Sequence, residues 1–193
     1  MLYFKKHLIG VIKVKSLFFI YESTAEWEAA PAAFVLSRRG EIDTFGLDTK
    51  PVKGFCNLPL KPEKSIEQIS TDDYDVLIIP GGRPKEYEGR EDLFELIRQF
   101  NKQKKIIGAI CGGPAALHWA GILKDKKFTC SVSPQEIEGM DFSYYVDEYA
   151  VTDSNIITAK GEGFTEFALY LGDALDIFQD DERDQVQNLF RHP

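Results

Sequence analysis

The chain has 193 residues, about one domain at roughly 150 residues per domain, and is long enough to bury a core without disulfide or metal staples. A hydrophobic share of 44% and a charged share of 28% exclude a disordered chain. Lys and Arg number 23 against 31 Asp and Glu, and the resulting net charge of −8 argues against a nucleic-acid or anionic-membrane partner.

The N-terminus, MLYFKKHLIGVIKVKSLFFI, is basic and apolar. Lys13 and Lys15 interrupt it, and no run approaches the roughly 18 apolar residues of a membrane span, so neither export nor a membrane anchor is expected. Residues 13–21 end in a short apolar run that reads as a buried strand. Residues 25–39 read as a helix stopped by Gly40, with Pro31 predicting a kink or a start nearer residue 30. Ile42, Phe45 and Leu47 suggest a second strand, and the Pro/Gly-rich stretch 50–63 reads as a loop with room for one short hairpin. Tyr74–Ile79 is the clearest strand, closed by Pro80-Gly81-Gly82. An amphipathic helix follows over 91–103, then a buried strand, Ile106–Ile110, and a helix from Pro114 to Ala120 capped by Gly121. Residues 144–159 suggest an antiparallel pair around Asp153-Ser154-Asn155, and 164–178 a last long helix.

Alternating strands and helices predict an α/β three-layer sandwich, α/β/α, around a mainly parallel central sheet. Residues 1–12 read as an N-terminal extension and 13–180 as a single domain. Residues 181–193 read as an acidic tail or short helix, with Asp180, Asp181, Glu182 and Asp184 a solvated stretch.

Cys111 is the strongest chemical feature. It stands where the strand IIGAI meets a helix, inside Ala109-x-Cys111-x-Gly113, the small-x-nucleophile-x-small pattern of a nucleophile elbow. A helix N-terminus there is expected to lower the thiol pKa. Gly81 and Gly82 follow the carboxyl end of a predicted parallel strand, where backbone amides can face a ligand or a developing oxyanion. Glu26 and Glu28 flank Trp27 just after the first strand, on the same sheet edge, where a carboxyl can share a proton with a thiolate or simply cap a helix. The three histidines, His7, His118 and His192, offer no Cys–His dyad, since His118 lies two turns down the elbow helix. Cys56, Cys111 and Cys130 are odd in number and widely spaced, with no CxxC pair. A disulfide framework, a metal site and a cofactor are therefore not expected, and a reducing cytoplasm is the natural setting.

At these residues the chain resembles the ThiJ/PfpI superfamily, which has the flavodoxin-like fold of class I glutamine amidotransferase domains. The resemblance runs from about residue 14 to 178. It is carried by AEWE (Ala25–Glu28), DVLIIPGG (Asp75–Gly82), AICGGPAAL (Ala109–Leu117) and AKGEGFTEFAL (Ala159–Leu169). It implies that Cys111 is the elbow nucleophile, that Glu28 is the glutamate hydrogen-bonded to its sulfur, and that Gly81, Gly82 and Gly112 place amides around an oxyanion pocket. It also implies a homodimer and a small-molecule substrate. Protease-like and some glyoxalase-like members carry a histidine directly after the cysteine, whereas this chain has Gly112, which counts against peptidase or amidase activity and, less strongly, against glyoxalase chemistry. Three activities follow: glyoxalase- or deglycase-like action on small reactive carbonyls, redox sensing or stress protection through an oxidisable Cys111, and peptide or amide hydrolysis should a distant histidine complete the site.

Overall fold

The computed structural model describes residues 13–190, so the N-terminal extension, His7 and His192 lie outside the described residues. The strands are β1 (Val14–Phe19), β2 (Gly40–Gly46), β3 (Val52–Lys53), β4 (Pro59–Leu60), β5 (Lys64–Ser65), β6 (Val76–Ile79), β7 (Ile106–Ile110), β8 (Ala150–Asp153) and β9 (Ile156–Ala159). The helices are α1 (Glu26–Leu36), α2 (Glu91–Lys102), α3 (Pro114–Trp119), α4 (Phe164–Ala174) and α5 (Glu182–Phe190). Seven strands form one sheet in the order β5-β2-β1-β6-β7-β9-β8, parallel except for the β8–β9 hairpin. β3 and β4 form the short antiparallel hairpin within 50–63.

Alternation along the central strands sorts the core into two layers. Leu17, Phe19, Leu77, Ile79, Ile107 and Ala109 face one side and pack with Leu93, Ile97 and Phe100 of α2 and Leu117 of α3. Phe18, Val76, Ile78 and Ile110 face the other side and pack with Val35 and Leu36 of α1 and Phe167 and Leu171 of α4. Because both faces are covered, these strands read as continuous apolar runs. The result is the three-layer α/β/α sandwich.

The chain runs from β1 outward to β2 and then returns to β6 on the other side of β1. That reversal is a topological switch point beside the carboxyl ends of β1, β6 and β7, the edge where sites collect in open α/β sheets. The Glu26–Glu28 segment, Gly81-Gly82 and Cys111 all follow those ends.

Helix boundaries depart from the sequence expectation at three places, each for a tertiary reason. α1 starts at Glu26, not near residue 30, because the Ala25 N–H donates to the Gly81 carbonyl at 2.8 Å and ties the helix start to the β6 turn. Pro31 is accommodated inside α1, and Gly40 opens β2 instead of stopping the helix. A side chain at Gly40 would run into the Val14 carbonyl of the neighbouring strand. α4 ends at Ala174, short of 178, because Asp176 takes a left-handed conformation (φ 52°). That turn brings Phe178 back against Gly172.

Glu182, read as part of a solvated acidic stretch, is instead held at the base of α5 by Arg38 and Arg39, at 3.1 and 2.8 Å. The same helix buries Val186 and sets Phe190 edge-on to Phe34 of α1.

Candidate functional site

Cys111 is the residue between β7 and the turn into α3, and its backbone is left-handed, with φ 61°. A β-carbon in that region is strained, so the surroundings must hold it there. Three backbone bonds do so. The Cys111 N–H donates to the Ala159 carbonyl at 2.8 Å, the Ser131 N–H donates to the Cys111 carbonyl at 2.9 Å, and the Gly113 N–H donates to the Ile110 carbonyl at 2.8 Å. The sulfur is half-buried, and the Gly112 N–H and the Ser131 hydroxyl both hydrogen-bond to it.

Glu28 lies in the first turn of α1 and is only 2% exposed. It hydrogen-bonds to the Cys111 thiol, and its Oε2 has no hydrogen-bond partner. Two glycines make room for this carboxyl. A β-carbon on Gly81 would stand 1.9 Å from Glu28 Oε2 and 2.6 Å from the Cys111 β-carbon. One on Gly161 would stand 2.7 Å from Oε1 and 3.4 Å from the sulfur. Carboxyl and thiol are thus packed between two backbone segments, with no space for a larger residue in either.

Burial and the exposed Glu162 carboxylate hold the Glu28 carboxyl up at about 7. Cys111 contradicts the expectation of a lowered pKa: burial and the Glu28 carboxylate push the thiol up to about 12, against the opposing pull of Ser131 and the Gly112 amide. α3 has only six residues, too short a helix for its dipole to outweigh a carboxylate in direct contact. Near neutral pH the pair therefore carries one to two protons.

The other sequence candidates separate. Glu26 turns outward and accepts the Cys56 and Leu58 N–H groups at 3.0 and 3.3 Å, pinning the β3–β4 hairpin to α1. Cys56 is exposed beside that carboxylate, and partial desolvation together with the Glu26 charge raises its pKa. Cys130 is buried, its thiol donates to the Val132 carbonyl at 3.4 Å, and burial raises its pKa to about 11. His118 sits on α3, and the groups acting on the Cys111 thiol are Glu28, Ser131 and Gly112. Gly81 borders the Glu28 carboxyl and the Cys111 β-carbon, Gly112 reaches the sulfur through its N–H, and Gly82 lies one peptide further, with its carbonyl 2.8 Å from where a Gly112 β-carbon would stand.

Two contributors escaped the sequence reading. Ser131 occupies an irregular segment 20 residues past Cys111, outside any motif. Its Oγ accepts the Gly161 N–H at 2.9 Å, which turns the hydroxyl proton toward the sulfur. Gly161 falls in the AKGEG string, whose small residues were the one local signal that something packs closely there.

Residues 14–173 match the DJ-1/PfpI family. The chain belongs to that family. It is 33% identical over 157 residues to protein dj-1beta of Drosophila melanogaster, covering 78% of this chain and 83% of that one. It is 30% identical over 158 residues to the glutathione-independent glyoxalase DJR-1.2 of Caenorhabditis elegans, covering 80% and 84% of the two chains. Among solved structures, a thiJ/pfpI family protein from Bacillus anthracis superposes with a TM-score of 0.85 at 25% identity, over 95% of this chain and 93% of the other. No helix among the described residues is long and apolar enough to cross a membrane.

Proposed function

We propose that this DJ-1/PfpI-family chain converts small reactive carbonyl compounds, with Cys111 as nucleophile and Glu28 as the base that activates it. The observation that carries this reading is the buried thiol–carboxyl contact at a left-handed elbow, with the Glu28 carboxyl held up at about 7. A carboxylate with that pKa is a proton acceptor matched to neutral pH. The naming of one relative as a glyoxalase agrees with it.

The chemistry runs as follows for methylglyoxal. The Glu28 carboxylate takes the thiol proton as the sulfur attacks the aldehyde carbon, and the C=O electron pair moves onto oxygen. The amides of Gly81, Gly82 and Gly112 face that oxyanion. Glu28 returns the proton to give a hemithioacetal. Glu28 then takes the former aldehyde hydrogen as a proton to give an enediolate, the hydroxyl proton passes from the first oxygen to the second, and Glu28 returns its proton to the neighbouring carbon, giving a lactoyl thioester. Water hydrolyses it to lactate and the free thiol, so the sum is methylglyoxal plus water to lactate. Lactate formation by purified protein, with Cys111→Ala as control, tests the reading, and turnover that survives the substitution would overturn it. No cofactor takes part in this scheme. The proposal includes a homodimer working in the cytoplasm, checked by light scattering and by fractionation.

One observation favours a second reading, redox sensing. Below about pH 7 Glu28 carries a proton beside the sulfur. A carboxylic acid so placed can donate to a Cys111 sulfinate. Intact mass after graded peroxide separates it: Cys111 must gain two oxygens before the exposed Cys56 or the buried Cys130 is modified.

A further inference from the structure

Two buried tyrosines lie beneath the glycine turns, and the scheme above makes no use of them. Tyr21 follows β1, and Tyr87 ends the short 3-10 turn Pro84–Tyr87. The rings meet edge to face, with centroids 4.8 Å apart and planes at 89°, and both are buried. The Tyr21 hydroxyl donates to the Pro80 carbonyl at 3.2 Å, and the Tyr87 hydroxyl donates to the Gly112 carbonyl at 3.3 Å. Each hydroxyl's one proton thus goes to a backbone carbonyl of a glycine-rich turn, and the ring contact joins the two. A β-carbon on Gly82 would stand 2.7 Å from the Tyr21 hydroxyl. Phenylalanine would fill both ring positions, and what tyrosine adds is hydrogen bonds to two carbonyls.

Those carbonyls matter because a trans peptide is a rigid plane whose C=O and N–H point in opposite directions. All peptides of the described residues are trans. The Pro80 carbonyl shares its plane with the Gly81 N–H, so a donor on the carbonyl aims and polarises that amide. The Gly81 carbonyl, in the plane of the Gly82 N–H, is held by the Ala25 N–H at 2.8 Å. At Gly112, the preceding carbonyl is held by the Ser131 N–H and its own carbonyl by Tyr87, so its amide is fixed from both sides.

We propose that the Tyr21–Tyr87 pair is the positioning element of the anion pocket, clamping the Pro80–Gly82 and Cys111–Gly113 turns together so that the Gly81 and Gly112 amides converge on one oxygen. The ligand chemistry this serves is a tetrahedral oxyanion attached to Cys111, and in that respect it rests on the carbonyl reading above. Neither tyrosine touches the reacting atoms; both act through backbone. Burial pushes both phenols well above the ordinary tyrosine value, so they remain neutral donors at every working pH.

The test uses Tyr21→Phe and Tyr87→Phe in the full chain, with circular dichroism showing that each is folded. On methylglyoxal, kcat is expected to fall about 10-fold in each with KM changed less than about 2-fold, the pattern of an interaction made in the transition state. Alkylation of Cys111 by iodoacetamide, which develops no oxyanion, is expected to stay within about 2-fold in Tyr21→Phe. Unchanged kcat in both variants, or an equal loss of kcat and alkylation in Tyr21→Phe, overturns the proposal. Backbone 1H–15N spectra separate its failure from failure of the carbonyl reading. If the unsubstituted protein shows no turnover, movement of the Gly81 resonance in Tyr21→Phe and of Gly112 in Tyr87→Phe still supports the clamp, and immobile resonances refute it. Should one variant fail to fold, the other carries the same test through its own glycine.

Discussion

Replacing Glu28 by glutamine should stabilise the protein at neutral pH while removing its activity. Burial holds the Glu28 carboxyl at about 7 in the folded chain, against an ordinary value of 4.5. A group whose folded pKa is raised binds its proton more tightly when folded, so its favourable contribution is complete below pH 4.5. That contribution is lost as pH rises toward 7 and is gone above it. The shift corresponds to about 3 kcal/mol at roughly 1.4 kcal/mol per pH unit. Glutamine has the shape of the protonated acid and never ionises, so Glu28→Gln escapes this penalty. Urea unfolding of both proteins at pH 4.5, 6, 7 and 8 measures it. The curves should coincide at pH 4.5 and diverge to about 3 kcal/mol at pH 8, with Glu28→Gln the more stable. Parallel stabilities across that range would show that the folded carboxyl titrates like an exposed one and would remove the basis for the role proposed for it as a neutral-pH base.

The same carboxyl predicts that kcat/KM on methylglyoxal rises through pH 7 to a plateau, because the base form must be present; a flat profile in the unsubstituted protein refutes this. Ser131→Ala removes one hydrogen bond to the sulfur and should raise the Cys111 pKa by about one unit, slowing iodoacetamide alkylation about 10-fold at fixed pH, with Ser131→Thr restoring it. Gly161→Ala places a β-carbon 2.7 Å from Glu28 Oε1 and should lower kcat on the order of 100-fold by displacing the base, while near-ultraviolet circular dichroism stays native. Cleavage of the Glu182 contact by Glu182→Ala should cost about 1 kcal/mol in urea unfolding, as expected for a partly exposed pair shared by Arg38 and Arg39.

Features that depend on neighbours along the chain were readable from sequence. Apolar runs such as VLII and IIGAI have room for only one arrangement, a strand covered on both faces, and the alternation of strand and helix signals then leads to a parallel sandwich. Cys111 was legible as an elbow because the crowding of a strand against a helix demands small residues at Ala109 and Gly113. The Pro80-Gly81-Gly82 turn was legible for the same local reason.

What depended on distant residues was not. The start of α1 is set by the Gly81 carbonyl and the end of α4 by how Phe178 folds back on Gly172, and neither leaves a local signal. Helix phase relative to the sheet decides that Glu28 faces the sulfur while Glu26, two residues earlier, holds a hairpin. Ser131 becomes part of the site only because its segment returns to lie over Cys111. The thiol's electrostatics reversed sign for the same reason: sequence places a sulfur at a helix start, which favours the thiolate, but folding buries it against a carboxylate, which favours the thiol. Sequence by itself determined that Cys111 stands at a strand-to-helix elbow and on which edge of the sheet it lies. The tertiary structure alone decided who shares its proton, because proton affinity depends on burial and on charges brought together from across the chain.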